Sequence, residues 1–161
     1  MMPKYHLTRS DKEITEQTEL EAIIKRGLYT TIAMCRNDEP YIVTMNYGYD
    51  QQKNALYFHA ALEGLKLEFI EQNSAICATI IEDLGYQQGE CNHHYRSLII
   101  RGQMSIIEDL AEKKQALQIM IDDLEESPKE VEAKLLKNDD TYEKVTILRL
   151  DIEELSGKLG V

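Results

Sequence analysis

The chain has 161 residues, a length suited to one domain around one core, and its hydrophobic (43%) and charged (29%) fractions match globular norms, which excludes wholesale disorder. Lys and Arg total 18 against 29 Asp and Glu, a net charge of −11, so nucleic acid and anionic membrane surfaces are disfavoured as partners. No apolar run reaches the ~20 residues of a membrane helix; the longest, such as LIIRGQMSII, contains Arg101.

The opening residues carry Lys4, His6 and Arg9 among polar neighbours and no apolar h-region, which predicts no secretory signal and a cytoplasmic protein. Thr18 followed by Glu21 has capping-box spacing ahead of Ile23 and Ile24, so a short helix is expected from about Glu19 to Arg26, ending at Gly27. LYTTIAMC (Leu28 to Cys35) reads as a strand, Arg36 to Glu39 as a turn, and PYIVTMNYGY as a second strand. In it Tyr41, Val43, Met45, Tyr47 and Tyr49 share one pleated face, and Ile42, Thr44, Asn46 and Gly48 share the other.

Asp50 to Asn54 is a second turn and Ala55 to Ala60 a third strand, giving an antiparallel meander. Gly64 to Gln72 has helical spacing at Leu65, Phe69 and Ile70, ahead of a strand at about Ala75 to Ile81. A loop rich in Gly and Gln leads to a long strand, Tyr95 to Ile107, whose polar face holds Ser97, Arg101, Gln103 and Ser105. Leu110, Leu117, Ile121 and Leu124 form a helical stripe, and Ser127, Pro128 and Glu130 are an N-cap, N1 proline and N3 acid for a helix ending near Lys137. Lys144 to Ile152 closes the chain as a sixth strand. The fold class is therefore α+β, with a small six-stranded, largely antiparallel barrel and peripheral helices.

Lys66 lies in the first turn of the helix that opens at Gly64, where the macrodipole disfavours a cation unless an anion is bound. Gly64, outward amide donors and Lys66 together suit a phosphate, although on spacing alone a solvated surface lysine is the simpler reading. Arg96 and Arg101 add to the case, because no acidic residue interrupts Cys91 to Ile107. His59 ends a strand just before the Gly64 turn and is a candidate for proton transfer, with no sequence-placed triad partner. Cys91, His93 and His94 are zinc-type ligands at poor spacing, since adjacent strand residues project to opposite faces and no second pair completes four ligands. Three cysteines, Cys35, Cys77 and Cys91, are an odd count that argues against a disulfide framework.

The order of MNYGY, LYFHAALEGLKLEFI and HYRSLIIRGQ, followed by helices and a closing strand, resembles the pyridoxamine 5′-phosphate oxidase-like superfamily from about Leu20 to Leu159. Within it the chain is most similar to the nitroimidazole-reductase-type flavin-binding proteins. The most specific segments are aromatic–His–x–x–x–x–Gly–x–Lys at Phe58 to Lys66 and Tyr95 to Gly102.

The resemblance implies a split-barrel homodimer with two FMN molecules in clefts between subunits. It assigns Lys66 to the FMN phosphate, assisted by Ser97 or Arg96, and the backbone of Val43, Thr44, Met45 and Asn46 to the isoalloxazine. His59, Ala60 and Gly64 complete the cofactor set, and His59 matches the histidine associated with activity. The resemblance makes Cys91 a family feature rather than a zinc ligand. The arginine-rich motifs of classical pyridoxamine-phosphate oxidases are absent, which argues against vitamin B6 oxidation. The implied function is an FMN-dependent oxidoreductase passing electrons from NADH or NADPH to a small organic acceptor. Two alternatives stay open: a flavin-binding or electron-relay module without turnover, and a haem-binding split barrel with His59 as axial ligand. No Gly-x-Gly-x-x-Gly turn is present, so a nicotinamide would dock only transiently.

Overall fold

Among the described residues eight antiparallel strands form the sheet, where the hydrophobic pattern predicts six. The computed structural model describes residues 7–161; Lys4 and His6 lie outside the described residues. The first half of the chain forms β1 (Glu13–Ile14), α1 (Gln17–Arg26), β2 (Thr30–Arg36), β3 (Glu39–Met45), β4 (Gly48–Asp50), β5 (Ala55–Ala60) and α2 (Leu65–Gln72). The second half forms β6 (Ala75–Gln87), β7 (Asn92–Ile107), α3 (Leu110–Leu124), α4 (Pro128–Leu135), α5 (Asp140–Glu143) and β8 (Thr146–Gly160). The strand order is β3-β2-β6-β7-β8-β5-β4, with β1 attached to β8, and the path does not close on itself. This is the α+β, antiparallel split-barrel class that the sequence predicts.

Period-two burial builds the main core. Ile32 and Met34 of β2, Ile76, Ala78 and Ile80 of β6, Leu98 and Ile100 of β7, and Leu148 and Leu150 of β8 meet Leu56 and Phe58 of β5. Leu20, Ile23 and Ile24 of α1 and Leu67, Phe69 and Ile70 of α2 close that core from the same side. β5 is buried on both faces, and its other face places Tyr57 in a second cluster under α3 with Ala116, Met120, Ile107 and Ile147. Asp109 caps α3, its carboxylate accepting from the Glu112 amide at 2.9 Å.

The first correction concerns α1. It starts at Gln17 after Glu16, so Thr18 sits inside the helix and no capping box forms; Glu21 instead accepts from Gln17 and Gln51. Ser127 holds the N-cap position of α4, yet its side chain makes no cap hydrogen bond.

The second correction divides PYIVTMNYGY into two strands. The chain leaves β2 after Met45 and turns at Asn46 and Tyr47 before pairing with β5 as β4. Two bonds fix the bend: Asn46 Nδ2 donates to the Leu28 carbonyl at 2.8 Å, and the Tyr47 hydroxyl donates to the Ile24 carbonyl at 2.6 Å. Periodicity alone does not see such a bend, because the apolar alternation runs straight through it.

The last strands are also longer than predicted. The Gly- and Gln-rich loop is instead a paired arm, Gly85↔His94 to Gln87↔Asn92, with a register shift between Asp83 and Gly85. β8 continues past Ile152 to Gly160, pairing with β7 as far as Tyr95↔Gly160. Backbone pairing carries these extensions; their apolar residues, Leu84 and Tyr86 in β6 and Leu155 and Leu159 in β8, are too few and too interrupted by Gly and charge to report them.

Candidate functional site

The gap in the barrel is where the candidate site lies, and strand lengths create it. β3 is the terminal strand at one end of the sheet, and β4 at the other end covers only Ala55 to Tyr57 of β5. On that side Phe58, His59 and Ala60 have no ladder partner among the described residues. Between the two uncovered edges lies a cleft of about 440 Å³, lined by Tyr41, Val43, Thr44, Met45, Asn46, His59 and Lys66. A terminal strand offers alternate backbone N–H and C=O groups outward, so β3 suits a planar ligand with donors and acceptors along one edge.

α2 points its start at this cleft. Gly64 is its N-cap at φ 155° and ψ 159°, a region reserved for glycine, with open space where a Cβ would stand. The intrahelical bonds begin with Leu67 N to Gly64 O at 3.0 Å, so the earlier amides are the orphan donors of a helix start. Lys66 is half-buried beside them. Among the described residues no acidic side chain lines the cleft, and Lys66 is its cationic residue, in a chain of net charge −11. Nearby Glu68 is drawn away by Arg36, whose Nη1 donates to it at 3.2 Å. The arrangement favours an anion.

His59 reaches solvent at the cleft edge, yet the surrounding walls desolvate it. Burial pushes the imidazole below its ordinary pKa, and the charge of Lys66 pushes it the same way. Both effects favour the neutral imidazole, which can give or take a proton according to what binds beside it.

The structure brings Val43, Thr44, Met45, Asn46, His59 and Lys66 to one cleft, with Ala60 and Gly64 flanking it. Asn46 has its side-chain amide committed to Leu28, and the Thr44 hydroxyl shares a 3.1 Å hydrogen bond with that of Thr31. Arg96 and Ser97 are not brought to this cleft within one chain. Arg96 pairs with Glu82 at 3.3 Å and Glu19 at 3.5 Å, tying α1 to the β6–β7 ladder. Ser97 lies with Thr79, Ile81 and Tyr95 in a shallow groove on the other face of the sheet, and Arg101 lines a neighbouring groove with Cys35 and Cys77.

Tyr41 is a lining residue that the sequence reading places only on the greasy face of its strand. Its ring packs on Phe69 with centroids 5.0 Å apart, and Phe69 in turn carries the Arg36 guanidinium 4.2 Å from its ring centre. The i, i+2 register with Val43 and Met45 was the available signal.

The cysteine–histidine cluster does not converge. Cys91 sits at the tip of the β6–β7 arm with φ 48°, while His93 Nε2 lies 2.6 Å from Asp83. Among the described residues no group of three or more His, Cys, Asp or Glu side chains is placed to hold a metal ion. All three cysteines are free thiols. No described helix is long and apolar enough to cross a membrane.

Comparison with known proteins agrees with the fold. The model of the pyridoxamine 5′-phosphate oxidase family matches residues 16–159. No curated protein sequence matches the chain. The fold is similar to that of a candidate 5-nitroimidazole antibiotic resistance protein from Bacteroides thetaiotaomicron, at 26% identity and a TM-score of 0.77, over 92% of this chain and 86% of that one. It is also similar to the flavocytochrome Anf3 from Azotobacter vinelandii, at 20% identity and a TM-score of 0.76, over 96% of this chain and 72% of that one. A FAD-binding protein from Mesorhizobium loti matches at 20% identity and a TM-score of 0.65, over 91% of this chain and 96% of that one. With the family model covering nearly all of the barrel, the chain belongs to the pyridoxamine 5′-phosphate oxidase-like family.

Proposed function

We propose that the cleft binds FMN and that the protein is an oxidoreductase, passing electrons from NADH or NADPH to a small organic acceptor of the nitroaromatic or quinone type. The observation that carries the reading is the convergence of an acid-free cleft, the glycine-opened start of α2 with Lys66, and the uncovered edge of β3. These residues fit a flavin nucleotide from end to end. Lys66 and the first amides of α2 would hold the phosphate, and the β3 backbone from Val43 to Asn46 would bond the polar edge of the ring system. Tyr41, braced by Phe69, would limit how far the ring can slide.

When bound, the flavin supplies the hydride and electron transfer. His59 would hold a proton at a ring nitrogen and deliver it to the reduced acceptor. Flavin-binding and haem-binding proteins both occur among the structural neighbours. Lys66 and Gly64 favour a phosphorylated ligand here over a haem held by His59.

A second copy belongs to the same reading. Ile42, Ile81 and Ile99 expose 63%, 62% and 36% of their surface on one sheet face, opposite to the face that α1 and α2 cover. A homodimer across that face would cover them and bring a second set of Arg96 and Ser97 within the assembly. The free thiols accord with a cytoplasmic, reducing location.

The test is spectroscopic first and kinetic second. Purified protein titrated with FMN should show the perturbed flavin bands and quenched fluorescence of a bound ring, and a Soret band with haem instead would replace the cofactor. Steady-state reduction of nitroaromatic and quinone acceptors then separates the roles. Rates no faster than free FMN would leave a flavin-binding module in place of the enzyme.

A further inference from the structure

We propose that phosphate capture at Lys66 and protonation of His59 are thermodynamically coupled, so that the cleft takes up a proton when it takes up a phosphorylated ligand. The proposal rests on the FMN reading and adds to it a means by which cofactor loading arms the proton donor.

The geometry supplies two basic groups in one cleft of about 440 Å³ with no acid among the lining residues. His59 stands at the uncovered end of β5 and Lys66 in the first turn of α2, six residues of connecting chain apart. The charged neighbours on the surrounding elements are otherwise engaged or remote. Arg36 holds Glu39 and Glu68, and Arg149 on β8 is paired with Glu112 and Asp151. Glu63, in the turn before α2, is exposed to water. Lys66 alone of these charges bears on the His59 ring.

A phosphate monoester carries roughly −1.5 to −2 charges at pH 7. Placed on Lys66, it reverses the sign of the local field, and a site that repelled a proton now attracts one. Linkage makes the effect reciprocal: a charged His59 must tighten phosphate binding by the same factor by which phosphate favours the proton. With no phosphate on Lys66, burial and the Lys66 charge favour the neutral form of His59. The loaded cleft presents an imidazolium at the edge where an acceptor would need its proton.

Proton NMR of the imidazole C–H signals tests the coupling directly, since the chain has four histidines and His59→Gln identifies the relevant one. The His59 midpoint should lie below the ordinary histidine value in apo protein and rise by about one pH unit with saturating FMN, a tenfold gain in proton affinity. Inorganic phosphate should give a smaller rise and riboflavin none. Lys66→Met should raise the apo midpoint and abolish further movement.

In the reciprocal arm, the ratio of FMN affinities of wild type to His59→Gln should grow roughly three- to tenfold from pH 8 to pH 6. Titration of the FMN phosphate itself is common to both proteins and cancels. An unmoved His59 midpoint, with FMN bound through Lys66, would overturn the coupling and leave the FMN reading intact. Equal movement with riboflavin would also overturn it, by assigning the effect to the ring. Failure of FMN to bind would remove both together.

Discussion

Lys66→Ala should weaken FMN binding by roughly 1.5 to 3 kcal/mol, the scale of a hydrogen bond to a charged group, and leave riboflavin binding nearly unchanged. Lys66 is assigned to the phosphate alone, so equal losses for the two ligands in a fluorescence titration would move it elsewhere. His59→Gln is expected to retain FMN at saturation while turnover falls on the order of 10²- to 10⁴-fold, the usual contribution of a positioned proton donor. An unchanged kcat in that variant would pass the proton to water. That His59 and Lys66 share one cleft was legible because the placement is local: with Gly64 they lie within one strand, turn and helix start. The ion pairs of Arg96 were not legible, because the carboxylates that engage it, on α1 and β6, come close only when the sheet assembles. A run of sequence without acids therefore misreports the field that Arg96 experiences.

At the scale of elements, α3 is held on the sheet by a part-buried polar array. Glu112 accepts from the Tyr57 hydroxyl at 2.7 Å, from Arg149 Nη1 at 2.7 Å and from Lys53 Nζ at 3.3 Å. Burial works to raise the Glu112 pKa, but the hydrogen bonds from Tyr57, Arg149 and Lys53 outweigh it and hold the carboxyl down to about 2. A folded-state pKa below the unfolded one contributes stability that is complete above about pH 4.5 and is lost as pH falls toward 2. Glu112→Gln should therefore lower stability by about 2 to 3 kcal/mol at pH 7 in urea titrations, and its acid dependence between pH 4.5 and 2 should be shallower than wild type. Equal slopes would place the acid sensitivity in other carboxylates. The sequence reports α3 with its observed bounds, because a stripe at helical spacing marks both ends. It misses the array, whose members come from the turn before β5, from β5, from α3 and from β8. It also misses the polar arm of β6 and β7, which backbone pairing alone defines.

At the scale of the whole molecule, charge sets the terms for the proposed homodimer. Each chain carries −11, so association of two copies is opposed by their summed field, and salt should strengthen it rather than weaken it. The exposed sheet face has the composition to overcome that repulsion. Ladder register puts Ile42, Ala33, Cys77 and Arg101 in one row and Thr44, Thr31, Thr79 and Ile99 in the next, so its centre is apolar or small and weakly charged. Sedimentation equilibrium should find a dimer whose dissociation constant falls as salt rises from 20 to 300 mM, values on either side of ordinary screening lengths of about 8 to 10 Å. Ile42→Glu combined with Ile81→Glu should give a monomer, since each acid would face its own kind or the apolar centre of the partner. Both positions are more than half exposed in the single chain, so the variant should keep its fold and its circular dichroism. FMN affinity of that monomer then decides how the cleft is completed. Loss of binding together with dimerisation means that residues of a second copy, Arg96 and Ser97 among the candidates, close the site. Binding retained at wild-type strength means that one chain's β3 edge, His59 and Lys66 suffice. A variant that stays dimeric would move the interface off this face altogether.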